Sequence, residues 1–230
     1  MTAKKYNTIA ILLILFALGA APAIMPPVLA AAEAQTGDTA EQPAPDSGMQ
    51  KHADAVKVVE KLHSALLSVM KKGKGVGFQD RYKQLEPVIS SLFDTPLICK
   101  VILGRYWSNL NQKQQSDFIS LFNKLSTSTY ASRFDSYNGE EFHTLGVEEL
   151  HKGRLLINTE LTRPNDKPVK LDYLMHQDSN NNWLIISVIA DGVNDLSLKR
   201  AEYAVVIRDK GYEGLLDNIK GKITKMESGK

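Results

Sequence analysis

The chain has 230 residues, 43% hydrophobic and 23% charged, with 28 Lys and Arg against 26 Asp and Glu. Two of those lysines, Lys4 and Lys5, lie in the first 32 residues, which hold no acid; the remainder is formally neutral and lacks the basic surplus that a general nucleic-acid binder needs to neutralise phosphates. The single cysteine, Cys99, excludes an internal disulfide, and its apolar neighbours Leu97 and Ile98 mark it as a buried small hydrophobe.

Lys4 and Lys5 precede an apolar run over residues 9–20, which small residues at Ala30-Ala31-Ala32 follow. This is the three-part pattern of a secretory signal peptide, expected over residues 1–32 with cleavage between Ala30 and Glu33. The run falls short of the ~18–20 apolar residues that span a bilayer, and no cysteine follows it to carry a lipid anchor. The protein is therefore expected to work outside the cytoplasm. Residues 33–49, made mostly of Ala, Pro, Thr, Gly and Asp, have almost nothing to bury and read as a flexible leader.

Order is expected from about Gln50, as one domain over residues 50–225 with a tail at 226–230. Val59, Leu62, Leu66 and Met70 recur on one face of a first helix that ends near Lys72. The glycine- and lysine-rich stretch 71–77 follows a helix rather than a strand and lacks the ending of a phosphate-binding loop, so it reads as a mobile connection. A second helix over 78–89 carries Phe78, Tyr82 and Leu85, with Pro87 set to kink or end it. Asp94-Thr95-Pro96 opens a third, closed by Gly104, and the longest starts after Asn111 with Phe118, Leu121, Phe122 and Leu125 on one face.

The period then changes to two. Leu155, Ile157, Thr159 and Leu161 alternate, as do Val169, Leu171, Tyr173 and Met175, around a polar turn at 163–168: a β-hairpin. Strands at 142–150 and 183–190 flank it, and two helices, 195–208 and 212–223, close the chain. The expected fold is α+β, a four-stranded antiparallel sheet packed with helices.

Chemistry is hard to find. No two of the five histidines stand at metal-ligand spacing, and no nucleophile elbow or placed carboxylate pair occurs. Asp172, between Leu171 and Tyr173, is the one curious acid, and alternation points it away from the apolar face toward solvent. Apolar surface is what the chain has in excess, and a cavity left between a curved sheet and its helices suits a hydrophobic ligand. Two competing readings remain: an enzyme using a buried acid, and an adaptor whose apolar residues are all core.

The motifs Phe93-Asp94-Thr95-Pro96, Leu103-Gly104-Arg105-Tyr106-Trp107, Tyr130-Ala131-Ser132-Arg133-Phe134, Asp191-Gly192-Val193 and Gly211-Tyr212-Glu213-Gly214-Leu215 resemble the MlaC family of periplasmic lipid carriers, a likeness spanning about residues 57–222. Within it, residues 191–200 look most like the hopanoid-associated HpnM branch. The resemblance implies a cystatin-like or NTF2-like sheet, a deep apolar pocket, no catalysis and no cofactor. It also implies a hopanoid or phospholipid ligand exchanged in a Gram-negative periplasm between an inner-membrane transporter and an outer-membrane acceptor. The transporter is of RND type for the HpnM branch and an ABC complex for MlaC. Pattern alone selects the expected pocket residues: Phe93, Leu97, Val101, Tyr106, Phe118, Phe122, Leu125 and Tyr130 from helices, and Leu155, Ile157, Leu171, Tyr173 and Met175 from the inward sheet face.

Overall fold

Helical structure starts earlier than the sequence pattern suggests. In the computed structural model, which describes residues 45–229, a short helix α1 (Pro45–Lys51) precedes α2 (Ala53–Lys72). The expected signal segment and residues 33–44 lie outside the described residues, whereas 45–49, expected to belong to the leader, are helical. Tertiary contact explains the difference. Met49 packs on the core, and Glu149 of the sheet receives Lys51 Nζ at 2.5 Å and His52 Nε2 at 2.8 Å. Those hydrogen bonds hold the Glu149 carboxyl down at about 2.

The stripe of α2 is buried as its spacing predicts, with Val59, Leu62, Leu66 and Met70 all at 1% exposure or less. A tight 3-10 turn, Gly73–Gly75, leads to α3 (Phe78–Leu92), which continues through Pro87 instead of stopping there. An interior proline costs a helix about 3 kcal/mol, and the burial of Ile89 and Leu92 in the turns beyond it offsets that cost. Helix α4 (Thr95–Leu103) begins as read. Asp94 Oδ1 accepts the Leu97 N–H at 2.9 Å, while its Oδ2 lies 2.8 Å from His176 Nε2. Because the Asp94 N–H also donates to the Ile185 carbonyl at 3.0 Å, this one residue stitches the helix start to the sheet. Helix α5 (Gln112–Arg133) opens with a reciprocal cap in which Asn111 and Gln114 each accept the other's backbone N–H.

The sheet has five strands, one more than expected: β1 (Glu141–Leu150), β2 (Arg154–Thr162), β3 (Val169–Gln177), β4 (Trp183–Ala190) and β5 (Val193–Asn194), antiparallel in that order. The extra strand is short because Asp191 and Gly192, both at positive φ, fold it back on β4 within two residues. On the inward face Leu155 meets Met175, Ile157 meets Tyr173 and Leu161 meets Val169. Between β3 and β4 the register slips, Met175 pairing with Ile185 but Leu174 with Ser187, which leaves Ile186 as an extra residue. The slip puts Ile185 and Val188, an odd number apart, in the same core and sends Ile186 to another.

The two expected closing helices form one run, α6 (Asp195–Glu227), broken only by Gly211 at φ 70° and ψ −176°. It outlasts the expected stop near residue 223, because Met226 is buried and Glu227 pairs with Lys124 at 3.2 Å. The interior is split in two. A first core lies between the sheet and α2, α3 and the end of α5; a second joins α4, the start of α5, α6 and Ile186. Cys99 is fully buried in the second, where burial pushes its thiol up, away from reactivity.

Candidate functional site

Where the two cores face each other they do not close, and an apolar cleft remains that opens to solvent at one end. Its floor comes from the sheet, with Leu171 and Tyr173 of β3 and Ser187, Val188 and Ala190 of β4. One wall is a single face of α5, on which Phe122, Leu125, Ser126, Thr129 and Tyr130 follow one another at helical spacing. Phe93, between α3 and α4, packs toward it with its tilted ring 6.0 Å from that of Tyr130, which in turn stacks on Phe134 at 5.8 Å. The opposite wall is the start of α6, carrying Asp195, Leu196 and Lys199.

The polar atoms of this lining are managed so that the depth stays apolar. Tyr173 turns its hydroxyl out of the cleft to His63 Nε2 at 3.0 Å, and the His63 ring stacks on Phe142 at 4.0 Å. Burial lowers the His63 pKa to about 3 and raises that of Tyr173, so the pair is neutral at pH 7 and presents a bare ring to the cleft. Burial likewise pushes the Tyr130 hydroxyl well above its ordinary range. Thr129 spends its hydroxyl proton on the Leu125 carbonyl at 2.8 Å.

Charge enters only at the mouth. Among the described residues, Asp195 and Lys199 are the two charged side chains on the lining. They sit four apart on α6, Nζ to Oδ2 at 3.3 Å. Asp195 Oδ1 also accepts the Val188 N–H and lies 3.1 Å from Ser187 Oγ, which pins the first turn of α6 to β4.

Six of the thirteen residues selected from the sequence stand on the cleft: Phe93, Phe122, Leu125, Tyr130, Leu171 and Tyr173. Seven do not. Leu155, Ile157 and Met175 are buried inside the first core, and Phe118 inside the second. Leu97 and Tyr106 pack half-buried on the second core, and Val101 is half-buried on α4. All thirteen were chosen on apolar periodicity, which finds a buried face without saying whether it meets protein or a void. The residues it missed include Ser126 and Thr129, legible only as hydroxyls interrupting the apolar stripe of α5, and Ile186, Ser187, Val188 and Ala190, hidden by the slipped register of β4.

Asp172 is half-buried rather than solvent-exposed, and desolvation raises its pKa. It does not line the cleft. Nor do the described residues gather three His, Cys, Asp or Glu side chains where they could hold a metal ion. What the cleft can do is sheath something apolar.

The model of the MlaC protein family matches residues 60–221. The fold is similar to that of a phospholipid-binding protein from Ralstonia solanacearum, solved in complex with a phospholipid, at a TM-score of 0.65 and 18% identity, over 76% of this chain and 97% of the other.

Proposed function

The chain belongs to the MlaC family, and from that premise we propose that it is a periplasmic carrier that sheathes a hydrophobic lipid in the cleft and moves it between the inner and outer membranes, without catalysis. The observation that carries this reading is the divided core. Two apolar clusters of one domain would ordinarily merge, yet here they leave between them a gap lined largely by apolar side chains such as Phe93, Phe122, Tyr130 and Leu171, with Asp195 and Lys199 its two charged groups. The gain is ample, since burying each methylene is worth about 0.8 kcal/mol and a chain of ordinary length about 10 kcal/mol.

Two ligands suit such a cleft. A hopanoid follows from the likeness of residues 191–200 to the HpnM branch, together with an RND-type inner-membrane partner. A two-tailed phospholipid, handed over by an ABC complex, follows from the similar Ralstonia solanacearum fold that was solved with one. Either would pass to an outer-membrane acceptor. The enzyme reading gains no support from the acid it named, because Asp172 is off the cleft. Native mass spectrometry with lipid extraction tests the proposal on protein purified from a hopanoid-making host. Co-purified hopanoid supports the first ligand and co-purified phospholipid the second. A protein that is empty and takes up neither lipid sinks the carrier reading.

A further inference from the structure

Just beyond the cleft wall, arginines gather on the surface. A 3-10 turn, Gly104–Asn109, follows α4 and carries Arg105, Tyr106 and Trp107, the first exposed and the two rings half-buried. The Arg105 guanidinium lies over the Tyr106 ring at 5.2 Å. Arg200 of α6 reaches the same turn, since a Cβ built on Gly104 would stand 3.6 Å from its guanidinium. Arg208, two turns further along α6, meets Asp209 Oδ1 at 2.7 Å. That hydrogen bond raises the Arg208 pKa and Tyr106 adds to the effect, so Arg208 too stands within electrostatic reach of Tyr106. Asp209 neutralises one arginine of the three. Among the described residues, Arg105 and Arg200 pair with no carboxylate.

Between Arg200 and Arg208 the outer face of α6 exposes Ala201, Ala204 and Val205, the last at 46%. Two alanines and a valine give apolar area with little relief, which suits a fluid lipid surface better than the interlocking side chains of a protein partner. Arginines beside amphipathic rings and aliphatic area are what a protein needs at the headgroup layer, where cations meet phosphates and Tyr and Trp straddle the polar boundary. Position agrees with composition. Arg200 stands one helical turn beyond Leu196, a residue of the cleft wall, on the same face of α6. We propose that the Gly104–Asn109 turn and the stretch of α6 from Arg200 to Arg208 form a docking surface for an anionic lipid bilayer, with the cleft held one helical turn from the headgroups. This rests on the carrier reading and adds the surface through which the carrier meets a membrane. Arg105 and Arg200 supply the attraction, and Val205 adds apolar contact once the charges have brought α6 to the surface.

The test is co-flotation of the mature chain with vesicles of mixed phosphatidylglycerol and phosphatidylcholine, set against vesicles of phosphatidylcholine alone. Wild type should float with the first and stay behind with the second, and added salt should release it. One cation near such a surface changes partition about fivefold. Arg105→Gln combined with Arg200→Gln should therefore lose about twenty- to thirtyfold, whereas Lys at both positions should keep most of the binding. Lys61→Gln removes a charge from an exposed position on α2 and should change binding less than about twofold. If the paired variant shows a lowered unfolding midpoint, Arg105→Gln alone, on an exposed turn, carries the test with its loss of about fivefold. Undiminished flotation of the arginine variants, or the same loss per charge in Lys61→Gln, would overturn the docking surface. So would a wild type that ignores anionic vesicles, because the arginines would then serve a protein partner. Lipid uptake from detergent micelles, read by native mass spectrometry on the same preparations, separates the two readings. Uptake without vesicle binding sinks the docking surface alone, and vesicle binding without uptake sinks the carrier reading alone.

Discussion

His63 shows how one side chain links the cleft to the stability of the fold. It is 5% exposed, and burial holds its pKa at about 3 against an ordinary 6.5. Between those values the unfolded chain binds a proton that the folded one refuses, so stability falls as pH falls from about 6.5 toward 3 and is fully present above. The slope is on the order of 1.4 kcal/mol per pH unit, or about 2 kcal/mol between neutrality and pH 5. In His63→Gln, an amide keeps a partner for the Tyr173 hydroxyl and nothing titrates. Urea midpoints measured at pH 7 and pH 5 should therefore shift less in this variant than in wild type; parallel shifts would show that His63 is not the source. The sequence displays His63 only as a histidine on an apolar stripe, and its partner stands 110 residues away. No local pattern could have found the pair. Tyr173, by contrast, was legible as an inward-facing residue, because strand alternation put it on one face with Leu171 and Met175.

At the scale of elements, boundaries set by local chemistry were readable and those set by packing were not. The Asn111 cap, the Asp94 start of α4 and the 163–168 turn all rest on short-range hydrogen bonding or turn-forming residues, and each stands where the pattern puts it. Passage of α3 through Pro87, the helix at 45–51 and the slip in β4 each depend on contacts with distant residues. Gly211 lies between these cases. The residue was visible as a break between two helical stripes, but its backbone at φ 70° and ψ −176° turns the break into a bend inside one continuous run. That region is open almost only to glycine. Gly211→Ala should accordingly cost about 1–3 kcal/mol, although a Cβ there would touch nothing within 4 Å. Gly221 supplies the contrast. It sits on an exposed regular turn of the same helix, also with open space around it, so Gly221→Ala should stabilise by about 0.5–1 kcal/mol. Opposite signs in thermal unfolding separate backbone strain from helix propensity, and a stabilising Gly211→Ala would refute the strained bend.

For the whole molecule, the division of the core separates what holds the fold from what would hold a ligand. Phe118 is fully buried in the second core, stacked with Phe122 and edge-on to Tyr203, and it does not reach the cleft. Removing its ring leaves a closed void and should cost about 3–5 kcal/mol. Ala190, 3% exposed, contributes to the cleft floor opposite Leu171 and next to Val188. A larger side chain there has empty space to enter, so Ala190→Phe should leave the unfolding free energy within about 1 kcal/mol of wild type, because the overpacking penalty of a filled core does not apply. The same ring would occupy the space a lipid tail needs. The two variants should therefore dissociate the two properties. Ala190→Phe keeps its unfolding midpoint and loses lipid uptake at least tenfold, whereas Phe118→Ala, measured below its lowered midpoint, still takes up lipid. A fold whose cleft were only loose core packing would behave the other way: filling it would raise stability and leave lipid uptake unchanged. Denaturant melts and a lipid-loading assay on the same two preparations decide between a binding site and a packing defect.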